Sequence, residues 1–150
     1  MSTSTQIFKT ALIDRVFFLR WEAPPSREEI EAVYTEMKGA YEQVKQPLVL
    51  VASLSPRSAV PNTEQRRNLS NLQSDVRPLF SEIHAIVEGS ELHYALQRVI
   101  ISGINLVTRT LDETYHHVHK HADQVAPHLH KRLGVDGASI IREARLRGVV

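Results

Sequence analysis

The chain contains no cysteine. That excludes a disulfide framework, a thiol nucleophile, an iron–sulfur cluster and any cysteine-ligated zinc site. Glycine is sparse, with Gly39, Gly89, Gly103, Gly134, Gly137 and Gly148 each isolated, so neither a phosphate-cradling loop nor a dinucleotide fingerprint is present. A Gly-x-Ser-x-Gly nucleophile elbow is also missing. Long apolar runs are absent as well. The longest, Val99–Val107, is nine residues, against about 20 for a spanning helix, and predicts a buried helix face with no membrane span. Charge of one sign is scarce: the formal net charge of +1 weighs against general nucleic-acid binding. Met1–Gln6 is polar, without a basic or apolar leader, and is expected to be a flexible tail on a cytoplasmic protein.

What remains suits one α/β domain over 1–150: the length of 150 residues and 42% apolar content support a single core. Ile7–Ile13 and Val16–Glu22 read as strands joined by a tight turn at Asp14-Arg15. Ala23-Pro24-Pro25 stops the second. Ser26-Arg-Glu-Glu29 is a capping box, followed by Ile30, Val33, Tyr34, Met37, Tyr41 and Val44 at helical spacing. Pro47–Leu54 is a continuous apolar run, as in a strand buried on both faces. Asn62 or Thr63 caps a second helix with stripe Leu69, Leu72, Val76 and Leu79, which Pro78 ends or kinks. Ile83–Glu88 predicts a third buried strand. Ser90 opens a helix carrying Leu92, Leu96, Val99, Ile100 and Leu106 or Val107. Thr114–His119 predicts a further strand, and Ala122 to Leu133 a helix ending at Gly134. Asp136-Gly137 is a turn before a C-terminal helix and tail over 138–150. Alternating strands and helices imply one mixed, mainly parallel sheet of four to five strands, with an antiparallel N-terminal hairpin, covered by helices.

The hairpin ending at Trp21, the helix opened by Ser26-Arg-Glu-Glu29, the strand Leu48–Leu54 and the alternating helices after it resemble the STAS superfamily of sulfate-transporter and anti-sigma-factor-antagonist domains, in particular its small stand-alone bacterial members. The resemblance implies a non-enzymatic signalling domain that binds a protein partner. Control would lie at a phosphorylatable Ser or Thr after a central strand. The family's Asp-Ser/Thr-x-Gly motif is not matched there: the chain has Ser55-Pro-Arg-Ser-Ala-Val-Pro-Asn-Thr63. The partner-binding residues expected on this reading are Ser55, Arg57, Ser58, Thr63, Arg66 and Arg67. Arg57, Arg66, Arg67 and Arg77 near a helix start would also suit a phosphate or an acidic surface. Acidic residues dominate Glu22–Glu42 and basic ones Lys120–Arg147, which suits head-to-tail pairing in a homo-oligomer.

Histidine is the abundant exception. Of eight, six lie between His116 and His130. A strand through Tyr115–His121 would place His117, His119 and His121 on one face, and imidazoles at i and i+2 suit zinc or another divalent transition metal such as copper or nickel. A helix would instead pair His117 with His121. His128 and His130 join only if the fold brings them near. The alternative to the interaction domain is therefore a metal-binding protein or metal-dependent enzyme using His117, His119 and His121; the interaction reading itself needs no cofactor. Clustered imidazoles also suit pH sensing, because their charge changes near pH ~6.5. An acid/base pairing of Glu88 or Glu91 with His84 or His93 is a further arrangement, without a nucleophile or metal motif to support it.

Overall fold

The computed structural model describes residues 7–89, 97, 101 and 115–150. Among these residues five strands form one sheet, in sequence order. β1 (Phe8–Ile13) pairs antiparallel with β2 (Val16–Trp21), and the turn between them holds Asp14 in the left-handed region, φ 57°. β3 (Leu48–Leu54), β4 (Phe80–Val87) and β5 (His116–His119) follow in parallel. The α/β architecture is thus the expected one: an antiparallel hairpin on an otherwise parallel sheet, covered by helices.

α1 (Arg27–Val44) begins at the Ser26 capping box, with both reciprocal bonds to Glu29 made. α2 (Thr63–Val76) starts at Asn62, which forms a second capping box with Gln65. Each cap satisfies amides that the first helical turn leaves open, worth about 1 kcal/mol apiece. Pro78 ends α2 in a short 3-10 turn over Arg77–Leu79. The expected single helix from Ala122 to Leu133 is broken: a 3-10 turn covers Ala122–Val125, and α3 (Ala126–Leu133) starts with Pro127 in its first turn. Proline has no amide to donate and its fixed φ suits a helix start. α3 stops at Gly134, φ 69°. Asp136-Gly137 does more than turn the chain. Asp136 caps α4 (Gly137–Leu146), and Gly137 is its first residue. A Cβ on Gly137 would run into the Ala126 carbonyl, so only glycine lets α4 lie this close to α3. The C-terminal tail is packed: Val149 is buried and its carbonyl accepts from Ser53 Oγ.

Strand periodicity divides the core into two layers. On one face Phe17, Leu19, Trp21, Leu48 and Leu50 pack with Ile30, Val33 and Met37 of α1 and with Leu72 and Val76 of α2. On the other, Val16, Phe18, Val49, Val51 and Ile86 pack with Leu129 of α3 and with Ile140, Ile141 and Ala144 of α4. β4 carries one extra residue at its start, where Leu48 faces Phe80 but Val49 faces Glu82. From there Ile83 lines the α1/α2 layer. Glu82, His84 and Ile86 therefore point toward α3 and α4. The strand expected to begin at Ile83 thus begins three residues earlier, at Phe80. The helix expected from Ser90, including the Val99–Val107 stretch, lies outside the described residues, as do Glu91, His93 and the 1–6 tail.

Candidate metal centre

β4 and β5 run parallel with His84 opposite His117 and Ile86 opposite His119. His117 and His119 therefore share the face that carries Glu82 and His84, whereas His116 turns to the other side. α3 crosses above this face and brings down His128. The imidazoles of His84 and His117 stack across the strands at 4.8 Å with a 12° interplanar angle. The His128 ring is tilted over both, 4.5 Å from His117 and 4.9 Å from His84. Arg132, one turn beyond His128 on α3, reaches the Glu82 carboxylate at 3.3 Å.

The hydrogen bonds give each ring a direction. His84 Nε2 lies 2.6 Å from Glu82 Oε1, and His84 Nδ1 lies 2.9 Å from His119 Nε2. His84 is fully buried and Glu82 is 5% exposed. Burial lowers the His84 pKa against the pull of Glu82 and keeps the ring neutral. Burial alone would raise the Glu82 pKa, but the His84 hydrogen bond and the Arg132 charge outweigh it and hold the carboxylate ionised. Burial, with the neighbouring imidazoles, pushes His119 down to about 3. His128 is lowered by burial, then by His117, and also by the charge of Lys131. A neutral His84 that donates from Nε2 to the carboxylate must accept at Nδ1 from His119 Nε2–H. His117 Nε2 has no such outlet: it is buried, has no hydrogen-bond partner among the described residues, and stands 3.9 Å from Glu82 Oε2.

Glu82, His84, His117 and His128 each offer one ligand atom, and these atoms lie within 4.8 Å of one another. Neutral imidazoles and a carboxylate are the donor set that zinc and its neighbours take. Ligand arms of about 2.0–2.1 Å place two ligands of a tetrahedral ion about 3.3 Å apart, so small side-chain movements would close this set around one ion. His84 Nε2 would exchange its proton for the ion, and Nδ1–H would then donate to His119. A metal-bound histidine ordinarily has its second nitrogen held in this way.

Of the three histidines expected to ligate, His117 joins this set. His119 stands behind it as the partner of His84. His121 is separate: β5 ends at His119, and His121 caps the following 3-10 turn. His130 also lies apart, bonded to the Val135 carbonyl. Glu88 follows the end of β4 and is not the partner of His84; Glu82 is. Glu82 as a ligand was not anticipated. The available signal was Glu82-x-His84 inside an apolar strand, a spacing that puts both side chains on one face.

The region after β3 is built differently. Ser55 and Ser58 are buried, with Ser55 Oγ accepting from the Arg57 amide and Ser58 Oγ donating to the Ala59 carbonyl. Arg66 is tied to the Pro61 carbonyl and to Thr63 Oγ1. Arg57 and Arg67 are exposed, and Arg77 stacks on the Tyr115 ring at 3.4 Å. An apolar cavity lies across the sheet from the histidines, lined by residues including Trp21, Met37, Leu50, Leu72 and His116. No family model matches the chain, and searches of curated proteins and of solved structures gave no significant match. No helix among the described residues is long and apolar enough to cross a membrane.

Proposed function

We propose that this chain binds a divalent transition-metal ion, zinc foremost, through Glu82, His84, His117 and His128. One observation carries the reading: four ligand atoms from β4, β5 and α3 converge within 4.8 Å. The buried, unpartnered His117 Nε2 supports it, since a buried nitrogen without a partner is costly and an ion would satisfy it. His119 backs His84 and Arg132 backs Glu82, the kind of outer partner that orients a metal ligand.

Calorimetric titration of metal-free protein with zinc should give one equivalent per chain. The ion should raise stability by about 2.7 kcal/mol at a free concentration about 100 times its Kd. His128→Ala should abolish that gain while the protein still folds. A wild-type protein that takes up no zinc refutes the reading.

The second reading is a cytoplasmic bacterial signalling domain that binds a protein partner, or a second copy of itself, through Ser55–Arg67. The STAS-like element order supports it. So do Arg57 and Arg67, exposed and without an ion pair among the described residues. Light scattering on the titrated sample separates the two readings. A metal-free oligomer that ignores zinc favours the second, and a zinc-loaded monomer removes its self-association.

A further inference from the structure

The charges around the four ligands do not balance once an ion is present. Zinc brings two positive charges, the three imidazoles are neutral ligands, and Glu82 returns a single negative charge. Arg132 adds a positive charge 3.3 Å from Glu82. Lys131, its neighbour in the last turn of α3, carries a further positive charge. Summed in formal charge, the loaded site carries a surplus of about three positive charges.

The site also has an open side. Glu82, His84 and the Nε2 of His117 are closed in, but the rest of the His117 side chain, 21% exposed overall, and that of Arg132, 41% exposed, reach solvent. Among the described residues, the one polar contact of Arg132 is to Glu82, made through a single terminal nitrogen. A guanidinium has five N–H donors in a planar fork, so those not aimed at Glu82 remain for a second acceptor. Zinc in catalytic sites takes a fifth ligand in the transition state, so adding one oxygen to four ligands is within its coordination range.

We propose that the loaded site binds a phosphate-class dianion on the His117–Arg132 side, with one oxygen on the metal and another on the Arg132 fork. This inference rests on the metal reading above. A dianion is preferred to a carboxylate because the surplus charge exceeds one. Arg132, already held by Glu82, meets a planar or tetrahedral oxyanion with little reorganisation. Lys131 contributes at longer range and so more weakly.

The test uses cobalt-substituted protein, with excess metal removed, and inorganic phosphate as the probe. Cobalt absorption reports the ligand set, and broadening of the phosphorus resonance reports phosphate beside the paramagnetic ion. Wild-type protein should show both changes on adding phosphate, with acetate binding about tenfold or more weaker. Arg132→Gln should bind cobalt more weakly, since Glu82 loses its partner, and at saturating cobalt should lose phosphate affinity by about tenfold or more, as expected for a lost charge-assisted contact. Lys131→Gln should lose about two- to threefold. Failure of wild-type protein to take up cobalt overturns the metal reading and this inference together. Cobalt uptake without phosphate broadening overturns this inference alone. Equal phosphate affinity in wild type and Arg132→Gln also overturns it.

Discussion

β4 belongs to two environments at once. Its Ile83 faces α1 and α2, in a layer otherwise built from Phe17, Leu19, Trp21, Val33 and Met37. Its other face offers Glu82 and His84 to β5 and α3. The first side is held by burial, which is non-directional and proportional to area. The second is held by directed bonds among groups that are costly to remove from water. A hydrophobic layer tolerates substitution by similar volume, whereas a buried polar cluster stands or falls with its partners. The two faces should therefore fail in different ways.

Leu19→Ala should have the largest effect. Leu19 is 1% exposed in the α1/α2 layer, and such a truncation costs about 2–5 kcal/mol. Denaturant unfolding should show that loss, while zinc affinity measured well below the melting temperature stays unchanged. A matching loss of zinc affinity would show that the two faces are not separable.

Acid is the next lever, and it draws on both sides of the sheet. Burial holds His119 at about 3 and His116, on the opposite face, at about 4. The unfolded chain protonates its histidines near pH 6.5. Between these values the unfolded state binds more protons, so stability falls as pH drops below about 6.5. From about pH 7.5 to about pH 5.5 the metal-free protein should lose on the order of 2–3 kcal/mol from these two groups. Thermal melts across that range check the sign, and a flat profile would show that neither ring is kept neutral.

The smallest change should come from His117→Ala in metal-free protein. Its Nε2 makes no hydrogen bond among the described residues, so little is lost with it, less than about 1 kcal/mol. The same substitution should remove the stabilisation by zinc. A large loss without metal would mark His117 as part of the packing.

The sheet was legible because its signals are local. Ser26 with Glu29, Pro47 before an apolar run, and Pro78 after a helical stripe each act within a few residues. Such signals suffice to order the elements. The histidine–glutamate cluster was half legible. Period two placed His117 and His119 on one face correctly, then carried His121 along with them, because nothing in Lys120-His121 marks the end of β5. Glu82 was missed, and His84 was considered only beside Glu88 or Glu91, for a physical reason: their partners lie on β5 and α3, and such pairing depends on sheet register. His128 shows the same limit. Its helix was anticipated, but not that α3 would lie over β4 and β5.

Gly137 touches none of the ligands, yet the placement of α3 depends on it. The missing side chain lets the start of α4 sit against the Ala126 carbonyl, and His128 stands only two residues farther along. A methyl group at 137 would act as a wedge at the pivot of α3, tilting its first turn away from the sheet. The aim of His128, and with it the geometry of the proposed ligand set, is set by the Cβ that glycine lacks.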